Sequence, residues 1–315
     1  MMVPVVALAT SGIATAANGG FTPQHPHSPN AERINTVYYV IFGFTAAVFV
    51  IVEAVLIVFV VKYRSRGRSR NVEGAQVHGN TRLELIWTVL PVVILFIIGA
   101  VVFVELPKIA DVPAASAGNR LDITVEGHQY YWQFDYPNGA RSIGDLHVPA
   151  HTVVYLTIRS PDVAHSWWIP QLGGKTDAIP GKTNHSWFKA DREGTYTGQC
   201  AEFCGVFHEA MHAAVIATSD AEYEAWLAGP AKSDLGRDEF QGVCATCHGM
   251  KGEGGYGPPI ANDSVIVQPT ALDAIVREGR GNMPPVGKTW TTAQMDALAA
   301  YLKKNIYTGA TTSGG

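Results

Sequence analysis

The sequence predicts a multidomain membrane protein with a two-helix transmembrane hairpin, an antiparallel β-sandwich and a small all-α domain. Two long apolar runs near the N-terminus predict the hairpin, and short alternating runs between residues 121 and 216 predict the sandwich. A break rich in glycine, proline and serine follows, and the last region ends in a helix that begins with a capping box at Thr291 and Gln294. The chain has 315 residues, enough for several domains, and only 16% are charged. The net charge of −4 argues against a nucleic-acid partner.

The hairpin is expected over residues 38–106, with spans at 38–61 and 86–104. Each run is close to the ~20 apolar residues that a bilayer requires. The intervening stretch 62–70 carries five positive charges and no negative one, which places it in the cytoplasm and the rest of the chain outside. Residues 1–37 form an N-terminal segment. Residues 1–20 of this segment are weakly apolar and end in small residues, which suggests a cleaved signal peptide, although no basic residue precedes Arg33.

The sandwich is expected over residues 119–229. Its alternating runs lie at 121–125, 130–134, 152–158, 195–197 and 213–216, and a short helix is predicted at 221–227. Residues 121–230 hold 13 acidic and 6 basic side chains. This acidic surface could steer a basic redox protein toward the module, and a solvated acidic face with no partner is the alternative.

Two thiols, an imidazole and a thioether stand within twelve residues of the sandwich sequence. The stretch is Cys200-Ala-Glu-Phe-Cys204-Gly-Val-Phe-His208-Glu-Ala-Met211, called the copper loop below. Thiolate, thioether and imidazole all suit copper. One copper needs one thiolate, so the second cysteine suggests two copper ions that share both sulfurs. A disulfide and a zinc site are the alternatives, although structural zinc rarely uses methionine.

A second cysteine motif predicts covalent haem in the last region, residues 232–308. Cys244-Ala-Thr-Cys247-His248 is the C-x-x-C-H pattern of c-type haem attachment, in which both thiols bond the haem and the imidazole reaches the iron. A redox dithiol is the weaker alternative. An electron-transfer cytochrome is expected to use methionine as its sixth ligand, and Met283 lies on a suitable proline-flanked loop.

The copper loop resembles the dinuclear CuA site of subunit II of haem–copper cytochrome c oxidases. That family's pattern is a distant histidine followed by C-x-E-x-C-x-x-x-H-x-x-M. The resemblance implies a cupredoxin-like Greek-key β-sandwich and assigns copper binding to His165, Cys200, Glu202, Cys204, His208 and Met211. In the family the glutamate binds copper through its backbone carbonyl, and its side chain faces a magnesium ion shared with the catalytic subunit.

Four further stretches resemble known families. The Met283 loop and the segment around Pro258 resemble small class I cytochromes c, which implies an all-α cytochrome c domain with a backbone carbonyl near Pro258 orienting His248. Residues 81–91 resemble the start of the family's second helix, where the position of Glu84 lies near a proton path. A carboxylate favoured by the helix dipole is the alternative for Glu84.

Residues 127–134 resemble the aromatic stretch beneath the copper site in the family. The family usually has tryptophan where this chain has Tyr130, at the place where electrons arrive from an external cytochrome c. Trp132 is a candidate for the electron path. Core packing is the alternative for these aromatic residues.

The resemblance predicts the electron-input subunit of a cytochrome c oxidase, an oxidoreductase and proton translocase, in a bacterial inner membrane. Electrons would pass from a periplasmic c-type cytochrome or similar donor to the haem, then to the copper pair, then to catalytic subunit I, with subunit III as a further partner. Oxygen chemistry belongs to the partner, so no catalytic residue is expected in this chain. The alternatives are the same relay in a CuA-containing nitric oxide reductase, and a copper-delivery or sensing protein.

Overall fold

The computed structural model describes residues 22–64, 76, 78–113, 120–229 and 235–309. The signal peptide predicted in residues 1–20, most of the basic stretch 62–70 and parts of both linkers lie outside the described residues. The chain divides into two units, one of residues 29–117 and one of residues 1–28 and 118–315.

The unit of residues 29–117 contains two long helices, α1 (Pro29–Tyr63) and α2 (Thr81–Ala110). Both are long and apolar enough to cross a membrane. Each helix is longer than its predicted span, because it also includes residues on either side of the apolar run. Glu105 near the end of α2 pairs with Arg33 near the start of α1 at 3.5 Å. The helices are therefore antiparallel, as a hairpin requires.

Ten strands occur among the described residues of the other unit. They are β1 (Arg120–His128), β2 (Tyr131–Asp135), β3 (Arg141–Ile143), β4 (Asp145–Pro149), β5 (Val153–Arg159), β6 (His165–Trp167), β7 (Thr176–Ala178), β8 (Asn184–Phe188), β9 (Gly194–Gln199) and β10 (His212–Thr218). One sheet has the order β3-β2-β1-β5-β8, a second has the order β4-β10-β9, and β6 pairs with β7. Every predicted alternating run lies mostly or wholly within one of these strands.

The prediction of a purely antiparallel sandwich is wrong at two pairings. Strands β1 and β5 run parallel, and so do β4 and β10. Between β1 and β5 the chain crosses to the other sheet, where it forms β4, and then returns in the direction of β1. Such a crossover makes the neighbouring strands parallel. The alternation of apolar and polar residues along each strand does not reveal it.

The sandwich core fills the space between the sheets and includes the copper loop. Alternate side chains of β5 and β10 point inward, as the buried Leu156 and Val215 illustrate. Cys200, Cys204 and Met211 belong to the same buried cluster. The sulfur ligands predicted from the sequence are therefore part of a close-packed core.

The C-terminal part of the chain is helical, as predicted. After α3 (Asp220–Ala228), its helices are α4 (Leu235–Glu239), α5 (Ala245–His248), α6 (Pro269–Glu278) and α7 (Thr292–Tyr301), with a π-type turn between α4 and α5. The capping box of Thr291 and Gln294 is present at the start of α7. Helices α4 and α7 pack together. Residues 235–309 are called the helical region below.

Candidate metal centre and haem site

The copper loop and the start of β6 bring four of the predicted ligands together. The Nδ1 atom of His165 lies 3.9 Å from the sulfur of Cys200, and Nδ1 of His208 lies 3.5 Å from the sulfur of Cys204. The ligand atoms of His165, Cys200 and Cys204 all lie within 4.8 Å of one another. Such a group of sulfur and nitrogen atoms can surround a soft metal ion.

Met211 completes the sulfur side of this cluster. Its sulfur lies 3.9 Å from that of Cys204, and its side chain is fully buried. The amide of Cys200 donates to the carbonyl of Met211 at 2.9 Å, so the two ends of the loop meet where β9 ends and β10 begins. The amide of Ala201 donates to the carbonyl of Ser166 at 2.9 Å, which fixes the loop against the strand of His165. The loop is therefore held in place by the strands around it.

Sequence reasoning missed Asp162, which orients His165. The Oδ1 atom of Asp162 lies 2.8 Å from Nε2 of His165, and its Oδ2 accepts a hydrogen bond from the amide of Gln129 at 2.8 Å. Although burial opposes ionisation, the hydrogen bond with His165 holds the pKa of the Asp162 carboxyl below its usual value. A carboxylate on Nε2 leaves Nδ1 free to bind metal. The turn sequence Ser-Pro-Asp was the available signal.

The two sulfur atoms remain thiols, and the disulfide alternative is not realised, since all four cysteines are free. The hydrogen bond between the pair lowers the pKa of Cys200 and raises that of Cys204. Thiolate is the form that binds metal, and the thioether of Met211 nearby favours copper over structural zinc.

Glu202 presents its backbone and its side chain in different directions. Its carbonyl oxygen lies 3.2 Å from the sulfur of Cys200, whereas its exposed carboxylate lies 3.9 Å from the ammonium of Lys175. This arrangement fits a carbonyl ligand to the metal and a carboxylate available to a second ion. The amide group of Gln129 donates to the carbonyl of Cys204 at 2.6 Å and adds a further support that sequence reasoning missed.

Trp132 and Glu84 are the two sequence candidates outside the predicted copper and haem ligand sets. Trp132 is fully buried, and its ring packs edge-on against that of His165 with centroids 6.0 Å apart. Glu84 accepts a hydrogen bond from the amide of Asn80 at 3.1 Å at the start of α2. This contact is the helix-capping arrangement, and the proton-path role of Glu84 stays a prediction.

The helical region contains a cavity of about 650 Å³ lined by Cys244, Cys247, His248 and Met283. This volume is in the range of cofactor pockets. Its other walls are largely apolar and include residues of α6 and α7, so the cavity suits a flat hydrophobic group. Both thiols of the C-x-x-C-H motif and the candidate sixth ligand therefore face one space, and this donor set fits a covalent haem.

His248 is oriented as the sequence predicted. Its Nδ1 lies 2.8 Å from the carbonyl oxygen of Pro258, which leaves Nε2 for the iron. Gly257 passes so close that an added Cβ would lie 2.8 Å from Cε1 of the imidazole. Sequence reasoning did not identify Phe207 of the copper loop, which lines the same cavity.

Three family models match successive regions of the chain. The family model of the cytochrome c oxidase subunit II periplasmic domain matches residues 141–218, and that of the subunit's transmembrane domain matches residues 16–104. The model of the cbb3-type cytochrome c oxidase subunit III matches residues 231–302.

Relatives cover the chain more fully. Cytochrome c oxidase subunit 2 of Alkalihalophilus pseudofirmus is 34% identical over 308 residues, which cover 90% of each chain. The same subunit of Cereibacter sphaeroides is 30% identical and covers 66% of this chain and 80% of its own. The solved periplasmic domain of subunit II of cytochrome oxidase from Bradyrhizobium japonicum is 31% identical, with a TM-score of 0.34, and covers 35% of this chain and 92% of its own. The chain belongs to the cytochrome c oxidase subunit II family and carries a C-terminal cytochrome c domain.

Proposed function

We propose that this chain is the electron-input subunit of a terminal respiratory oxidase in a bacterial inner membrane. Its hairpin (38–106) would anchor it, and its cupredoxin domain (119–229) and cytochrome c domain (232–308) would lie on the periplasmic face. The bound haem and a dinuclear copper centre would supply one-electron carriers between an external c-type donor and catalytic subunit I. Subunit I would reduce oxygen to water and translocate protons, with subunit III as a further partner.

One observation carries this proposal, namely that the copper loop reaches the haem cavity. Phe207 lines that cavity and is joined by a peptide bond to His208, which lies 3.5 Å from the sulfur of Cys204. The donor cluster and the cavity thus lie on either side of one short segment. A protein that only delivered copper would have no use for a haem beside its metal site.

The residues of the metal centre bind the ions and limit their movement. Burial of Cys200, Cys204 and Met211 excludes water, and the core around them resists rearrangement when the charge changes. Glu202 would contribute its carbonyl to the copper and its exposed carboxylate to a magnesium ion shared with the catalytic subunit. Trp132, packed against His165, would take part in the electron path.

The test is gas consumption by the intact complex. The chain is tagged, purified with its partners in mild detergent and supplied with a reduced c-type cytochrome. We expect oxygen uptake, abolished by Cys200→Ser and strongly reduced by Met211→Leu. Met250→Leu is the matched control, because Met250 is exposed and lies outside both predicted ligand sets.

Three other results would change the assignment. Uptake of nitric oxide with negligible oxygen uptake would make the complex a nitric oxide reductase. If neither gas is consumed and no large partner co-purifies, a copper-delivery or sensing role becomes the better explanation. Paramagnetic resonance with hyperfine structure from one copper nucleus would disprove the dinuclear centre.

A further inference from the structure

A tyrosine of the β-sandwich is buried inside the helical region. Tyr131 of β2 is 1% exposed and belongs to the apolar cluster of that region. Its hydroxyl accepts a hydrogen bond from Nε1 of Trp290 at 2.7 Å and donates one to the carbonyl of Val286 at 3.2 Å. Its ring stacks on that of His128 with centroids 4.6 Å apart. The hydroxyl is therefore fixed by two partners of the helical region, and the ring is held by His128 of the sandwich.

The carbonyl that Tyr131 binds belongs to the loop of Met283. Pro284 and Pro285 follow the methionine and have no amide hydrogen, so this stretch can donate few backbone hydrogen bonds. Met283 itself exchanges backbone hydrogen bonds with Arg280, at 3.0 and 3.1 Å. Beyond the prolines, the contact between Val286 and Tyr131 attaches the loop to the sandwich.

The sandwich also forms part of the wall of the haem cavity. Phe207 lines this cavity, and its ring packs edge-on against that of Tyr256 with centroids 5.7 Å apart. Tyr130 lines a smaller recess beside it together with Cys247 and Met283. The copper-bearing domain thus touches the cavity at its wall and at the methionine loop.

We propose that Tyr131 is a positioning residue for the haem. From its place in the sandwich it holds the Met283 loop, so that the copper domain completes the haem site. The inference rests on the proposed function, since it takes Met283 as the axial ligand. Burial raises the pKa of Tyr131, so the hydroxyl stays protonated and keeps its hydrogen atom for Val286. Loss of the hydroxyl would free the Val286 carbonyl and leave the Trp290 N–H without its acceptor.

The test is a titration of the oxidised full-length chain with imidazole, which competes with methionine for haem iron. Tyr131→Phe removes only the hydroxyl. Of the two hydrogen bonds that this change removes, the one to Val286 acts on the Met283 loop. Loss of one buried hydrogen bond shifts an equilibrium by about tenfold, so we expect imidazole to bind this variant about tenfold more tightly. The absorption band of methionine-ligated ferric haem should weaken in parallel. Tyr155→Phe is the matched control, because Tyr155 stacks on His185 within the sandwich.

Equal imidazole affinity in Tyr131→Phe, Tyr155→Phe and the unaltered chain would overturn the proposal. Covalent haem content and the copper spectrum report whether each variant is folded. If Tyr131→Phe does not accumulate, hydrogen exchange in the unaltered chain decides. A Tyr131 hydroxyl proton that exchanges with solvent as fast as that of an exposed tyrosine would overturn the proposal, and a hydroxyl proton protected from exchange would support it.

Met283→Ala separates this proposal from the assignment beneath it. If Met283→Ala changes neither the band nor imidazole affinity, Met283 is not the axial ligand, and both the assignment and the positioning role fall. If Met283→Ala changes both and Tyr131→Phe changes neither, only the positioning role falls.

Discussion

A buried carboxyl in the helical region should make the stability of this protein depend on pH. Glu239 at the end of α4 is fully buried, and neither of its oxygens has a hydrogen-bond partner among the described residues. Burial raises its pKa from 4.5 to about 8. The nearby side chains of Gln294 and Arg141 oppose this shift, and Asp238 adds to it.

The sign of the effect follows from proton binding. Between pH 4.5 and about 8 the folded protein keeps the Glu239 proton that the unfolded chain has lost, so stability falls as pH rises. Each pH unit in this window costs about 1.4 kcal/mol. From pH 5 to pH 7 the loss is therefore about 3 kcal/mol. For a unit of roughly 200 residues this lowers the melting temperature by roughly 5–10 °C.

Glu239→Gln provides the measurement, because glutamine has nearly the same shape and does not titrate. The melting temperature of the full chain in detergent is recorded by calorimetry at pH 5, 6 and 7. We expect the unaltered chain to lose roughly 5–10 °C relative to Glu239→Gln over this range. Glu278→Gln, at an exposed site, should track the unaltered chain. A constant difference between Glu239→Gln and the unaltered chain at all three pH values would refute the reasoning.

Two further variants test the sandwich. Gly127→Ala would place a Cβ atom 3.0 Å from the ring of His165, so we expect altered copper resonance with the haem spectrum intact. Gly229→Ala is its control, since the added Cβ would meet its nearest atom at 3.7 Å, and equal spectra for the two variants would contradict the prediction. The contact with His128 lowers the pKa of Glu126 to about 2, so the ionised carboxylate should stabilise the fold above pH 4.5. This stabilisation should fall by about 1.4 kcal/mol per pH unit as the pH drops from 4.5 toward 2. Glu126→Gln should flatten acid unfolding monitored by circular dichroism, and an unchanged acid transition would argue against this ion pair.

The ligand set was readable from the sequence because most of it is local. Cys200, Cys204, His208 and Met211 lie within one loop, so their spacing alone indicates a shared metal. His165 is 35 residues before Cys200, and only the family resemblance linked the two. The haem motif is likewise local, and the capping box at Thr291 depends on one helical turn.

Long-range features of the fold, such as strand pairing and contacts between domains, left no comparable pattern in the sequence. The parallel pairing of β1 with β5 depends on a crossover between sheets, which leaves the alternation of each strand unchanged. Tyr131 reads as an ordinary inward-facing residue of β2, yet it contacts Val286, which is 155 positions away. Glu239 looks like a surface residue of a short helix, but α4 packs against α7 and β3, and Glu239 is buried in the folded chain. Each of these three features depends on residues that are far apart in the sequence and meet only in the folded chain.

The contacts between the sandwich and the helical region also bear on the proposed electron transfer. Nη1 of Arg141 donates to Oε1 of Gln294 at 2.8 Å, and Trp290 donates to Tyr131 at 2.7 Å. Hydrogen bonds are directional, so a buried set of them admits fewer orientations than an apolar contact of the same area. A fixed orientation keeps the distance between the haem cavity and the copper loop constant, which an electron relay requires. The residues that pack the two domains together would therefore also set the geometry between the proposed haem and copper sites. A substitution at this interface should affect both domain packing and electron transfer between these sites.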